Sequence, residues 1–324
     1  MGSISLAVPA GAASGPAFTF EPTPSPNTQA PRSSFRYSLK PGGTLSDSVL
    51  LTNLTNQPEE FEIWSADGYN TPRSGYLTLR PQNYPKKDVA RWLTLPVSGG
   101  VHVLPAATSA TLTFDLSVPP NARPGDHVGG IVALDVTPQK SANGRTQFQV
   151  HQGIASAVFV HVIGPLHPSA SVVAVEVAQS EPALGFAPGT SHGYVGFKLE
   201  NTGNTILNGT ATVRVTNIFG QTVKTFPSTP VGNFIPGQVF TVIEPKWQPL
   251  PFIGPEHVSV TFRPSGAALS TGAATFWIFP WLLILIVVVA LGLGIWRWRR
   301  RRQRAKQPDS VPPTPQRERV TVST

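Results

Sequence analysis

Seven histidines hold most of the chain's capacity for proton chemistry near neutral pH: His102, His127, His151, His161, His167, His192 and His257. None sits in an HExxH motif or an i,i+4 pair beside a carboxylate, so zinc has no set of ligands. His151 and His161 lie in strand-like runs, where a structural role is the simpler reading. No GxSxG nucleophile elbow and no phosphate-cradling glycine loop occur. The chain has no cysteine, which removes thiolate metal sites and disulfides. The inventory points to no catalytic residue, no metal and no cofactor, and so to a protein that binds rather than reacts.

Residues suited to binding cluster between positions 64 and 92. Trp64, Asp67, Tyr69, Tyr76, Tyr84, Arg91 and Trp92 combine aromatic faces, which stack on the apolar faces of sugars, with groups that fix hydroxyls or carboxylates. Lys86 and Lys87 stand beside them and suit an acidic polymer. Segment 65–91 is long, Pro-rich and weakly strand-like, and is expected to be a loop excursion from the scaffold. For Trp64 and Trp92, burial in a sandwich core is the favoured alternative; Tyr69, Tyr76 and Tyr84 are the better candidates for exposure. Pro124-Gly125-Asp126-His127, followed by Gly129-Gly130, reads either as a ligand loop or as a tight turn feeding a strand. The Asn-x-Thr sequons at Asn53 and Asn208 coincide with turns. Leu95-Pro96-Val97-Ser98-Gly99 resembles a sorting motif but lies far from any anchor, and reads as a strand end and turn.

The elements that must position these residues are strands. Leu112–Val118, Val173–Val177, Ala211–Thr216 and Val258–Arg263 alternate apolar and polar residues, the two-residue period of a strand with one buried face. Turn signals separate them, among them Pro41-Gly42, Asp67-Gly68, Asn143-Gly144, Pro188-Gly189 and Pro236-Gly237. The chain holds 34 prolines and 29 glycines, spread between short β-branched runs as turn-rich β-domains require. A weak internal repeat aligns Pro41-Gly42 and Asn53 with Pro188-Gly189 and Asn201. The expected fold is all-β: two tandem immunoglobulin-like β-sandwich domains, 32–164 and 165–268, followed by a single C-terminal transmembrane helix.

Phe276–Trp296 is a 21-residue run without a charge, about 31 Å as a helix and close to the ~30 Å hydrocarbon core. Trp277, Trp281, Trp296 and Trp298 mark its edges. Arg297, Arg299, Arg300, Arg301, Arg302, Arg304 and Lys306 follow as a stop-transfer cluster. Orientation is therefore N-out: ectodomain extracellular, basic tail 297–324 cytoplasmic. Of the formal net charge of +8, the tail carries nine basic residues against Asp309 and Glu318, leaving the rest nearly balanced. No footprint for nucleic acid remains. Residues 1–13 read as the remnant of a signal peptide, and 14–31 as a disordered Pro-rich leader.

A more specific pattern runs through the first domain. Tyr37-Ser-Leu39-Lys-Pro41-Gly42-Gly43, Val49–Asn53, Phe61-Glu-Ile63-Trp64-Ser-Ala66-Asp67-Gly68, Arg91-Trp92-Leu93 and Val118–Val132 occur in the order seen in the N-terminal domain of WxL-interacting proteins. The resemblance spans roughly residues 30–163. It implies a Gram-positive-type surface protein whose first immunoglobulin-like domain binds peptidoglycan. The expected function is thus a non-enzymatic, membrane-anchored cell-surface protein. Its first sandwich is expected to bind cell-wall peptidoglycan or glycan, or a wall-associated protein of WxL or other exported type. The alternative is a scaffold or accessory subunit that binds a protein partner only.

Overall fold

The computed structural model describes residues 16–24, 30–96, 100–137, 151–180, 192–245, 254–278 and 281–304. The signal-peptide remnant, the turns at Asn143-Gly144 and Pro188-Gly189, Lys306 and the tail beyond Arg304 lie outside the described residues. In chain order the first part contains β1 (Phe18–Pro22), β2 (Phe35–Leu39), β3 (Thr44–Asn53), β4 (Glu59–Asn70) and β5 (Leu77–Leu79). The short helix α1 (Val89–Trp92) follows, then β6 (Leu93–Thr94), β7 (Val101–Leu104), β8 (Ser109–Ser117), β9 (Gly125–Asp135) and β10 (Gly153–Val162).

These strands form two sheets, β1-β3-β8-β6 and β2-β10-β9-β4-β5, with β7 also on β4. All pairs are antiparallel except β2 with β10. The alternation in β8 places Leu112, Phe114 and Leu116 inside. They meet Phe18, Phe35, Phe61 and Ile63 from the other strands, with Phe18 on Phe61 and Phe35 on Phe114 edge to face at 4.8 and 5.0 Å. Edge-to-face contact sets the positive ring edge against a negative ring face.

The second part contains β11 (Ser171–Ser180), β12 (His192–Glu200), β13 (Leu207–Thr216), β14 (Thr222–Thr225), β15 (Thr229–Phe234), β16 (Val239–Ile243), β17 (Gly254–Pro264) and β18 (Ser270–Ile278). Its sheets are β11-β12-β16 and β14-β13-β17-β18, with β15 on β13. The core is built on Phe197, Phe234, Phe240 and Phe262 with the valines of β13 and β17. One sheet holds β1, β3 and β8 in the first sandwich and β11, β12 and β16 in the second. The other holds the last two strands and the central one, the division found in immunoglobulin sandwiches.

Two boundaries are corrected. The leader is not wholly disordered, because Phe18-Thr19-Phe20 supplies a two-residue apolar period and becomes an edge strand on β3 with both phenylalanines buried. The second sandwich does not stop at 268, because β18 continues to Ile278 and Phe276 packs against its core. The apolar run therefore does not form one helix from Phe276. The helix α2 (Trp281–Arg304) starts later and continues through the arginines. Among the described residues, no helix is long and apolar enough to cross a membrane. Segment 65–91 also differs from a loop excursion: β4 runs twelve residues to Asn70, so Asp67 and Tyr69 lie on a strand.

Candidate functional site

The residues expected to form a glycan surface are divided among several tasks. Trp64 and Trp92 are buried, so neither presents a face to a ligand. Asp67 accepts the N–H groups of Lys87 (2.7 Å), Asp88 (3.2 Å) and Ala90 (2.8 Å). Its carboxylate thereby fixes the chain entering α1. Lys86 donates from Nζ to Ser65 Oγ at 2.9 Å, and Ser65 in turn donates to the Ala90 carbonyl. Tyr69 and Tyr84 each have one ring face covered by Arg80, at 3.8 and 4.4 Å. Arg80 is a partner that sequence reasoning missed, since nothing in its neighbours marks a cation–π contact. Tyr76 is 74 % exposed, and Lys87 and Arg91 point outward. Of the expected aromatic residues, Tyr76 and Tyr84 are the ones left exposed. Beyond them, Arg297, Arg299, Arg300, Arg301 and Arg302 are exposed on α2, with Arg304 closing it.

What the structure does bring together is the junction of the two sandwiches, built on the Pro124–His127 turn. Gly125 has φ of 122°, and a Cβ there would collide with the Asn204 carbonyl, so only glycine permits this approach. The Asp126 N–H donates to that carbonyl at 2.8 Å. Asn204 Nδ2 donates to the carbonyls of Pro124 (3.0 Å) and Pro165 (2.9 Å), while its Oδ1 accepts the His167 N–H at 2.6 Å. Asp126 accepts from Ile206 N–H at 2.8 Å and pairs with His161 Nδ1 at 2.7 Å. On the other side, Asn70 donates to the Asn233 carbonyl (3.1 Å) and accepts the Ile235 N–H (2.9 Å), and Thr241 N–H donates to Pro72 O (2.7 Å). Between these polar ties Val128, Phe159 and Ile235 form a small shared core. Main-chain and side-chain bonds of this number, closed over apolar packing, make the junction stiff.

Next to the junction, His127 Nδ1 faces Asp88 (2.8 Å to Oδ2) and Nε2 faces the Arg123 carbonyl (2.9 Å). Two acceptors require a proton on each ring nitrogen, which makes the ring a cation. Burial opposes that charge, but the Asp88 carboxylate and the Arg123 carbonyl outweigh it and raise the His127 pKa. The pair therefore adds stability fully below pH ~6.5 and loses it as pH rises through the folded value. Held at both ring nitrogens, the imidazole pins the Pro124–His127 turn to Asp88. A cleft of about 460 Å³ opens here, lined by Asp88, Arg123, His127, Glu200 and Asn204. A second, of about 350 Å³, lies beside Arg36, His161 and Asn233. Among the described residues no His, Asp and Glu group is placed to hold a metal ion.

No family model matches this chain, and no curated protein matches it. Solved structures with similar folds include the class 5 fimbriae chaperone CfaA, at 14 % identity over 81 % of this chain and 100 % of that one, TM-score 0.33. The CsuC–CsuE chaperone–tip subunit complex of Acinetobacter baumannii Csu pili matches at 10 % identity over 79 % and 97 %, TM-score 0.35. The CupB2 chaperone of Pseudomonas aeruginosa matches at 10 % identity over 75 % and 96 %, TM-score 0.32. At these scores no function passes from them to this chain.

Proposed function

We propose that this chain is a non-enzymatic, membrane-anchored surface scaffold that holds an exported protein partner by strand addition. The observation that carries the reading is β7. It pairs only with β4 among the described residues, and Val101 and Val103 on it are 53 % and 56 % exposed. An open edge with apolar side chains is a template for a further strand: main-chain bonds give affinity and alternate side chains give selectivity. Glu60 and Glu62 stand opposite these valines on β4, so a partner strand with basic residues suits the same face. The stiff junction would present this edge at a fixed angle to the second sandwich.

The resemblance of residues 30–163 to WxL-interacting proteins fits such a role. The glycan reading is weaker, because Trp64, Trp92 and Asp67 are committed to the scaffold. Anchoring is supported by the uncharged run up to Trp296 and by the half-exposed Leu285–Ile295 on α2, which nothing among the described residues covers. From Trp281 to Trp296 the helix rises about 24 Å. In a bilayer, snorkelling arginines would offset the shortfall against the hydrocarbon core; Arg300 stacks on Trp296 at 4.7 Å and Arg302 on Trp298 at 3.9 Å.

The test uses full-length Val103→Cys carrying a photo-activated cross-linker on intact cells. A discrete protein adduct that disappears in V101K is expected. A smear of wall fragments, together with co-sedimentation of the unmodified protein with isolated peptidoglycan, would overturn the scaffold reading in favour of glycan.

A further inference from the structure

The second sandwich carries an exposed apolar tip with no role in the junction or at β7. Between β13 and β14 the chain turns at Asn217–Gln221, presenting Ile218 at 53 % and Phe219 at 79 % exposure. The turn is braced. Asn217 Oδ1 accepts the N–H groups of Phe219 (3.0 Å) and Gln221 (2.9 Å), and the Gly220 N–H donates to the Asn217 carbonyl at 2.9 Å. An ordered turn that holds a phenylalanine in water keeps a large apolar area unburied, which is unfavourable unless something else covers it.

Strand register says where the tip points. Thr216, the last residue of β13, is opposite His257 on β17, and His257 is opposite Thr275 on β18. Residues 217–221 therefore lie past the end of β13, at the level where β18 ends at Ile278 and from which the chain leaves toward α2. Charge follows the same direction. Among the described residues at this end, Arg214 and Lys224 are exposed and unpaired with any acid, Glu244 and Glu256 are buried, and the exposed Glu176 is paired with Lys198 at 3.4 Å. An end of a domain with a protruding aliphatic and aromatic pair flanked by basic residues matches the headgroup region of an anionic bilayer.

We infer that the second sandwich rests on the membrane through this tip, with Ile218 and Phe219 inserted among the lipid headgroups. The inference builds on the anchor reading above, and adds a second, separate point of contact. Two contacts, helix and tip, would fix the tilt of the sandwiches relative to the bilayer and so the height of β7 above it.

A chain without cysteine lends itself to single-site labelling. Full-length Phe219→Cys, Ile218→Cys, Ile286→Cys and Val103→Cys would each carry an environment-sensitive fluorophore after reconstitution into phosphatidylglycerol-containing vesicles. Labels at 218, 219 and 286 are expected to shift to shorter emission wavelength and to be quenched by lipid-borne nitroxide, with the label at 103 unaffected. If 286 is quenched by lipid while 218 and 219 respond only to aqueous iodide, as 103 does, the docking tip is wrong and the anchor stands. If 286 is itself aqueous, anchor and tip fall together.

Discussion

Asn53 and Asn201 do the same job in the two sandwiches, although little else around them is identical. Each is fully buried at the end of its strand. Asn53 accepts the Thr55 N–H and donates to the carbonyls of Gln57 and Leu104; Asn201 accepts the Gly203 N–H and donates to those of Thr205 and Phe234. A side chain so placed ties the strand end to the end of β7 or β15, and it leaves Asn53 no amide free for modification. The similar Pro-to-Asn spacings, 12 residues from Pro41 to Asn53 and 13 from Pro188 to Asn201, made this pair legible in the sequence. The identity of the partners was not, because they are main-chain carbonyls that no side-chain pattern encodes. The equivalence exposes a local flaw: Ala107 has φ of 53° where the second sandwich has Gly237 at 69°, each two residues before β8 or β16. Ala107→Gly should stabilise the fold by about 0.5–1 kcal/mol, the left-handed penalty less glycine's entropy, read as a higher urea midpoint. A second flaw is Glu256. It faces inward among valines, neither carboxylate oxygen has a partner, and burial pushes its pKa up to about 7. A carboxyl held more basic in the folded than in the unfolded chain destabilises as pH rises from the unfolded value toward 7. Glu256→Gln should raise stability by about 1–2 kcal/mol at pH 8 and change little at pH 4, measured by urea unfolding at both.

Among the elements, β1 shows how composition misleads. Pro22 and its place in a Pro-rich stretch suggest disorder, whereas five residues of alternating burial suffice for an edge strand once a receptor strand exists. The receptor is held by a clamp: Asp47 on β3 accepts from Arg32 and from Tyr37 OH, both at 2.6 Å, while Arg32 Nε donates to the Thr23 carbonyl. Burial works to raise the Asp47 pKa, but these two donors outweigh it and lower it. Such stability is present above the unfolded carboxyl range and is lost as pH falls through the folded value. Asp47→Asn should therefore cost about 1–3 kcal/mol at pH 7, with the difference from wild type shrinking as pH falls through the folded value; thermal melts from neutral to acid pH would show it. The long alternating strands, β8, β13 and β17, were legible because both faces declare themselves in the residue types. β4 was readable only to Trp64, since Pro, Gly and Asn beyond it suggest a loop although the strand continues to Asn70.

For the molecule as a whole, the junction was the least legible part. It joins residues about 80 positions apart, and its central member, Asn204, looks like any turn asparagine beside Gly203. The Pro124–His127 motif was visible, but as a choice between ligand loop and turn; the structure makes it the contact between domains. Removing the three side-chain bonds of Asn204 should leave each sandwich folded and loosen only their angle. With spin labels on Thr113→Cys and Arg263→Cys, Asn204→Ala is expected to broaden the interdomain distance distribution while the melting transition moves little. A narrow, unshifted distribution would mean that the Asn70 side alone holds the angle.

Gly125 gives that bracket a single point of failure. Because the Asn204 carbonyl occupies the space where any Cβ would go, even one added methyl acts as a wedge driven between the two halves. Chains that drift at this position would carry the same strands and the same cores, yet display them at a different angle. Two proteins of this architecture could then differ in what they hold without differing in any residue that touches it.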